Sequence, residues 1–175
     1  VTVRKSARVG YTKMALALLA YTAEHKRRNA VIYQPTDDDR DEFVTTELAP
    51  MLRDVRAMRS VMPRFSRRSK DTPLRVKNFT TGLLHMRGGK AAKNFRRLTV
   101  DTVVYDEFSG FDRDIEKEGS PGKLGDKRLE GAVWPKSIAG STPKLKHNDN
   151  TEDREAEADV HLRWHVPCPH CGELH

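Results

Sequence analysis

The chain has 175 residues, a length that suits one domain with a substantial core. Charged residues make up 33% of it, hydrophobic ones only 37%, and the formal net charge is +7; that balance points to a polyanionic partner such as nucleic acid or nucleotide phosphates, or to no more than a basic surface. No apolar run approaches the roughly 18 residues of a membrane span, no signal pattern opens the chain, and two cysteines in a single C-x-x-C exclude a disulfide framework and predict a reducing compartment.

Val1 to Val3 alternates apolar and polar and reads as the end of a strand already under way. A loop follows through Gly10. Thr12 to His25 then predicts a helix, with Met14, Leu16, Leu18, Leu19 and Tyr21 set among alanines and no proline. Ala30-Val31-Ile32-Tyr33, bounded by Asn29 and Gln34-Pro35, predicts a buried strand. Strand, loop, helix and strand in about thirty residues make a βαβ unit, which implies a parallel sheet. Thr36 before three aspartates is a helix cap with acids in the first turn. Phe43, Val44, Leu48, Met51 and Leu52 continue that helix until Pro50 breaks or kinks it.

Met58 to Lys70 is basic and turn-rich, with Arg64, Arg67, Arg68 and Lys70 as a charge run. Val76 to Met86 predicts one or two strands around Thr81-Gly82, and Gly88-Gly89 leads into a basic helix or loop carrying Lys90, Lys93, Arg96 and Arg97. Val100 to Tyr105 is a further strand, delivering Asp106 and Glu107 at its end. Phe111 to Gly131 reads as a short helix and an exposed loop. Ser137 to Pro143 reads as a strand ending in a polar tip at Ser141-Thr142. Lys144 to Asp159 reads as a surface loop or linker, and Val160 to Val166 alternates like a strand leading into Cys168 and Cys171. The scattered His25, His85, His147 and His161 read as surface or core residues.

Two stretches carry the chemistry. Lys5-Ser6-Ala7-Arg8-Val9-Gly10-Tyr11-Thr12-Lys13 lies on the frame of a phosphate loop, G-x-x-x-x-G-K-[ST], but Lys5 stands at the first glycine and Tyr11 at the lysine. The strand-to-helix context is the one such a loop requires: N–H groups at a helix N-terminus cradle phosphate, and a cation completes the site. Gly10 admits close backbone approach and Thr12 can place its hydroxyl on magnesium. The cation is Lys5 or Lys13, and Arg8 can reach a γ-phosphate. Alone, the stretch reads equally well as a basic loop before a helix. Asp106-Glu107 shifts that balance, because a strand ending in Asp-Glu puts a carboxylate at the sheet edge where ligands bind, Asp106 for magnesium and Glu107 as base toward water. Ser141-Thr142 can sense phosphate from a third strand tip or be a turn before proline. Lys90, Lys93, Arg96 and Arg97 suit a phosphodiester backbone, an arginine finger offered to a neighbouring subunit, or a solvated basic face. Cys168-Pro169-His170-Cys171 resembles one knuckle of a zinc site, which needs four ligands; His165, His170, His175 or a second C-x-x-C are the candidates to complete it.

Several strings together resemble the ATPase domain of the large terminase subunit of lambda-type tailed phages: KSARVGYTK (Lys5 to Lys13), YQPTD (Tyr33 to Asp37), GGKAAKNFR (Gly88 to Arg96), YDE (Tyr105 to Glu107), EGSPGKLGDKRLEG (Glu118 to Gly131), VWPKSIAGSTPK (Val133 to Lys144) and CPHCGE (Cys168 to Glu173). The resemblance spans nearly the whole chain. It implies an α/β P-loop NTPase fold of the ASCE type, with a mostly parallel central sheet flanked by helices. The implied activity is hydrolysis of ATP with Mg2+ to drive double-stranded DNA into a preformed capsid. The displaced lysine is a family trait, which assigns Lys5 to the phosphates, Asp106 and Glu107 to the magnesium and catalytic pair, and Ser141-Thr142 to the coupling motif. The implied nucleotide-binding set is Lys5, Ser6, Arg8, Gly10, Tyr11, Thr12 and Lys13, with Arg8 and Glu107 catalytic.

Implied partners are duplex DNA, the small terminase subunit and the capsid portal, with a homo-oligomeric ring in the host cytoplasm docked at the procapsid and no membrane. Residues 1–159 are expected to be the motor domain, lacking its N-terminal part. Residues 160–175 are expected to begin a zinc-ribbon-like segment leading to a nuclease that cuts concatemeric DNA. A helicase-like P-loop ATPase, which shares every nucleotide motif, and a non-catalytic zinc-containing DNA-binding module are the alternative readings.

Overall fold

The computed structural model describes residues 1–62, 74–144 and 148–174. The basic run of Arg64, Arg67, Arg68 and Lys70 lies outside the described residues, as do His147 and His175. Six strands form one sheet: β1 (Thr2–Arg4), β2 (Ala30–Gln34), β3 (Val76–Phe79), β4 (Gly82–Gly88), β5 (Thr102–Asp106) and β6 (Lys136–Ser141). Their spatial order is β1-β6-β5-β2-β4-β3. Every neighbouring pair is parallel except β3 with β4, which form an antiparallel hairpin at one edge. The predicted mostly parallel α/β sheet is therefore present. The strands of the first βαβ unit, β1 and β2, are parallel but not adjacent; β6 and β5 lie between them.

The central strands β2 and β5 are buried at every position. Strands covered on both faces read as unbroken apolar runs, which is why these two were legible in the sequence. One face carries α1 (Tyr11–Tyr21), whose Ala15, Leu16 and Leu19 pack with Ile32, Met86 and Val104. Three more helices line that face, α2 (Asp37–Phe43), α3 (Ala49–Asp54) and α4 (Arg56–Val61). Thr36 and Asp39 close a reciprocal capping box at the start of α2. The expected break at Pro50 is accommodated by a wide turn over Val44–Leu48, after which Pro50 sits in the first turn of α3, where no N–H is needed. On the opposite face Tyr33 and Tyr105 stack with each other and pack with Phe95, Phe108, Phe111 and Ile115.

Three expectations are corrected. Phe111 to Gly131 is not simply exposed: its short helix α5 (Pro121–Asp126) forms, and Phe111, Ile115, Pro121, Gly122 and Gly125 are buried. Lys144 to Asp159 is not only loop, because α6 (Asn150–Ala156) docks there through buried Asp149, Asn150 and Thr151. Val160 to Val166 forms no strand; alternation without a neighbouring strand leaves Leu162 and Trp164 each 91% exposed.

Candidate active site

Because β1, β6, β5, β2 and β4 run parallel, their carboxyl ends share one edge, and Arg4, Ser141, Asp106, Gln34 and Gly88 line up along it. The loop from Lys5 to Gly10 leaves β1 at that edge. Gly10 takes a left-handed backbone, φ 83°, to turn the chain into α1, and no side chain caps the helix, so its first N–H groups are left for an anion.

The two candidate lysines separate clearly. The Lys5 side chain is 8% exposed, and its ammonium donates to Glu107 Oε1 at 2.7 Å. Its backbone N–H extends the β1–β6 ladder to the Ser141 carbonyl at 3.1 Å. Lys13 is 69% exposed and pairs with Glu47 on the wide turn after α2. The cation brought to Glu107 is thus Lys5, at the start of the loop.

Thr12 donates its hydroxyl to the Asp106 carboxylate, 3.1 Å from Oδ2 and 3.3 Å from Oδ1. Gln34, at the end of β2, donates to Asp106 Oδ2 at 3.2 Å. Asp106 is buried, and burial pushes its carboxyl above the usual range; the bonds from Gln34 and Thr12 pull it down only in part, and the Glu107 charge pushes it up again. A buried carboxylate beside a threonine hydroxyl, with its ionised form disfavoured, is a hard-oxygen donor set that a divalent cation would relieve, so Thr12 and Asp106 fit magnesium.

Glu107 follows in a left-handed conformation, φ 51°, which strains a non-glycine residue and turns its side chain off the strand. Ser141 donates to Glu107 Oε2 at 3.3 Å and also reaches the Thr142 carbonyl at 3.2 Å. Lys5, Thr12, Asp106, Glu107 and Ser141 therefore form one connected cluster from three strand ends and a helix start. Tyr11 also joins it, but through the sheet: its ring is buried and its hydroxyl donates to the Tyr105 carbonyl at 3.2 Å.

Other candidates stand apart. Ser6, Arg8 and Gly10 are exposed on the loop, and Arg8, at φ 60°, has no ionic partner among the described residues. Thr142 follows Ser141, and its carbonyl accepts from the Ser141 hydroxyl. Lys90, Lys93, Arg96 and Arg97 are exposed around the short turn Ala92–Phe95; Arg96 is paired with Glu118, and none bonds to the cluster. Gln34 is the site residue that sequence reasoning missed. Its signal was a polar residue closing an otherwise apolar buried strand.

Cys168 and Cys171 sit on a tight turn in which the Cys168 N–H donates to the Glu173 carbonyl at 2.8 Å and the Gly172 N–H to the Cys168 carbonyl at 2.9 Å. N–H groups of Cys171 and His170 hold the Cys168 thiol below its usual range. Among the described residues no three His, Cys, Asp or Glu side chains gather as a metal site. Cys168 and Cys171 are thus a pair of thiols to which neither His165 nor His170 adds a third metal-ligating group.

A family profile described as the phage terminase large subunit gpA ATPase domain matches residues 1–175. The chain is 52% identical over 170 residues to the terminase large subunit of Enterobacteria phage P21, covering 97% of this chain and 26% of that protein. It is 50% identical over 174 residues to the terminase large subunit of Escherichia phage lambda, covering 99% and 27%. The chain thus spans about a quarter of the length of these relatives. Among solved structures, the ATPase domain of the Thermus phage P74-26 large terminase superposes with a TM-score of 0.54 at 17% identity, over 82% of this chain and 59% of that one. The large terminase of another thermophilic bacteriophage superposes with 0.53 at 19% identity, over 78% and 32%. At such identities the likeness is one of fold.

Proposed function

The chain belongs to the phage terminase large-subunit family, as an ATPase domain of lambda type, and on that premise we propose that it hydrolyses ATP to drive duplex DNA into a capsid. The observation that carries this reading is the joining of Lys5, Thr12, Asp106, Glu107 and Ser141 at one sheet edge. The sheet order supports an ASCE-type phosphate-loop fold, because β6 stands between the loop strand β1 and the acidic strand β5.

In this mechanism the first N–H groups of α1 and the backbone at Gly10 cradle the phosphates. Lys5 neutralises charge on the transferring phosphoryl group, with Ser6 and Lys13 flanking the loop and Arg8 reaching the γ-phosphate from its exposed position. Thr12 and Asp106 would hold Mg2+, which when bound neutralises charge on the phosphate oxygens. Glu107 takes the proton from attacking water. Before nucleotide arrives, Lys5 and Ser141 occupy both carboxylate oxygens of Glu107. Phosphate competes for Lys5 and frees Glu107 to act as base, so binding itself arms the site. Ser141 is bonded to that carboxylate and, with Thr142, passes its state along β6.

Beyond this domain we propose the partners of a packaging motor: duplex DNA, the small terminase subunit and the capsid portal, in a homo-oligomeric ring docked at the procapsid in the host cytoplasm. Lys90, Lys93, Arg96 and Arg97, exposed and basic, suit DNA phosphates or a neighbouring subunit's nucleotide. In the intact protein we expect residues 160–175 to begin a zinc-ribbon-like segment ahead of a DNA-cutting nuclease.

The test is magnesium-dependent ATP hydrolysis by the intact protein. Glu107→Gln should lower kcat by roughly 10²–10⁴ while nucleotide binding is retained. Hydrolysis unchanged by that substitution would remove the assignment. A strand-displacement assay beside capsid-dependent DNA protection separates packaging from unwinding.

A further inference from the structure

Tyr11 occupies the position where a standard phosphate loop has its lysine. Its side chain does not stay with the loop. Tyr11 is the first residue of α1 and is 4% exposed, and its hydroxyl donates to the carbonyl of Tyr105, the residue before Asp106.

Two further facts converge on the ring. Gly140 sits inside β6 with no positive φ, so its backbone does not require glycine. A glycine in a strand interior weakens the strand relative to alanine unless something needs the space. Here something does: a Cβ at Gly140 would collide with the Tyr11 ring. The second fact is that the Lys5 ammonium lies 5.7 Å from the ring centroid while it holds Glu107, within the range of a cation–π attraction. Tyr11 thus touches, from one side chain, the acidic strand, the coupling strand and the displaced lysine.

We propose that Tyr11 is a positioning residue of the hydrolytic site: wedged over Gly140 and bonded to β5, its ring fixes the register of Asp106-Glu107 and the approach of Lys5. On this view the lysine at the loop's start, the tyrosine at its end and the glycine of β6 are one device. A lysine following the path of the Tyr11 side chain would bring its ammonium to the Tyr105 carbonyl rather than to the phosphates. The proposal rests on the ATPase reading above.

The test uses ATP kinetics of the intact protein with thermal melting as a control for folding. Tyr11→Phe keeps the ring and removes one bond. Its kcat should fall about 3–10-fold, the cost of one lost hydrogen bond, with KM for ATP within a factor of about two and the melting profile still cooperative. Tyr11→Lys placed in Lys5→Ala should not restore hydrolysis. A wild-type kcat in Tyr11→Phe, or restoration by Tyr11→Lys, overturns the proposal. A wild-type protein without ATPase activity overturns the functional reading instead, so the two failures are distinguishable.

Discussion

The carboxyl edge of the sheet and the segment 160–174 have equally suggestive sequences and opposite fates. At the edge, five chemically marked side chains are bonded to partners brought from far along the chain: Lys5 to Glu107, Thr12 to Asp106, Ser141 to Glu107. In the segment, Val160, Leu162, Trp164 and Val166 are exposed, and the strand pairing among the described residues is an isolated bridge between Pro167 and Leu174. The difference lies in neighbours, not in pattern. β5 is flanked by β2 and β6 along its length, so its end residues are held against those of the next strands. Residues 160–166 have the period of a strand and nothing beside them. A motif becomes a site only where the sheet fixes its partners.

The largest effect expected from this contrast lies between the two lysines. Lys5→Ala removes a nearly buried cation from Glu107 and, in the mechanism proposed above, from the phosphates, so kcat should fall about 10²–10³-fold, the range for losing one preorganised charge-stabilising donor. Lys13→Ala breaks an exposed pair with Glu47, worth at most about 1 kcal/mol. Its ATPase should therefore stay within about fivefold of wild type. Loss of activity in Lys13→Ala alone would break the contrast by placing the working cation on the helix rather than at the loop's start.

Ser141→Ala comes next. It removes the hydroxyl bonded to Glu107 Oε2 and leaves the Lys5 pair in place. A bond to a charged group is worth roughly 1.5–3 kcal/mol. Steady-state turnover should therefore drop about tenfold or more, with nucleotide binding kept. An unaltered turnover would remove Ser141 from the proposed mechanism.

How far the sequence reached follows the same physics. β2 and β5 were readable because burial on both faces demands continuous apolar residues. The cap at Thr36 was readable because it is local chemistry between Thr36 and Asp39. Helix α6 was not, since the residues it buries are Asn150 and Thr151, held by Ser109 and the Phe111 carbonyl rather than by an apolar stripe. Sheet order escaped as well: nothing in β1 or β2 announces that β6 and β5 will lie between them. The phosphate-loop frame was visible, with two lysines open on the residues alone and Lys5 implied by the resemblance; the bond from Lys5 to Glu107 across 102 positions of sequence was not visible.

A smaller effect sharpens the edge itself. The fold raises the Asp106 carboxyl above its unfolded value, chiefly by burial, so the native state binds the proton more tightly than the unfolded chain does. Stability from that protonation is present at low pH and is lost as pH rises through the elevated value. At neutral pH without a cation, ionised Asp106 therefore costs stability. Asp106→Asn should raise the metal-free melting temperature at pH 7 by roughly 2–4 °C, the shift given by about 1 kcal/mol in a domain of this size, and by less at pH 4. Magnesium should raise the wild-type midpoint and leave the variant's unchanged. A midpoint that falls in Asp106→Asn would mean that the bonds from Thr12 and Gln34 outweigh burial.

The smallest effect is expected at the other region. Cys168→Ser combined with Cys171→Ser alters two thiols on a turn that buries nothing in either core cluster. Exposed substitutions of this kind fall within about 0.5 kcal/mol. Hydrolysis should hold within about twofold, and the melting midpoint should be unchanged. We propose that the intact protein holds zinc through this pair, and elemental analysis should find that metal lost in the double variant, because the low-set Cys168 thiol is the group on this turn best prepared to bind metal. A tenfold loss of hydrolysis with zinc would instead tie the segment to the motor, and the separation between an edge that works and a tail that waits for partners would no longer hold.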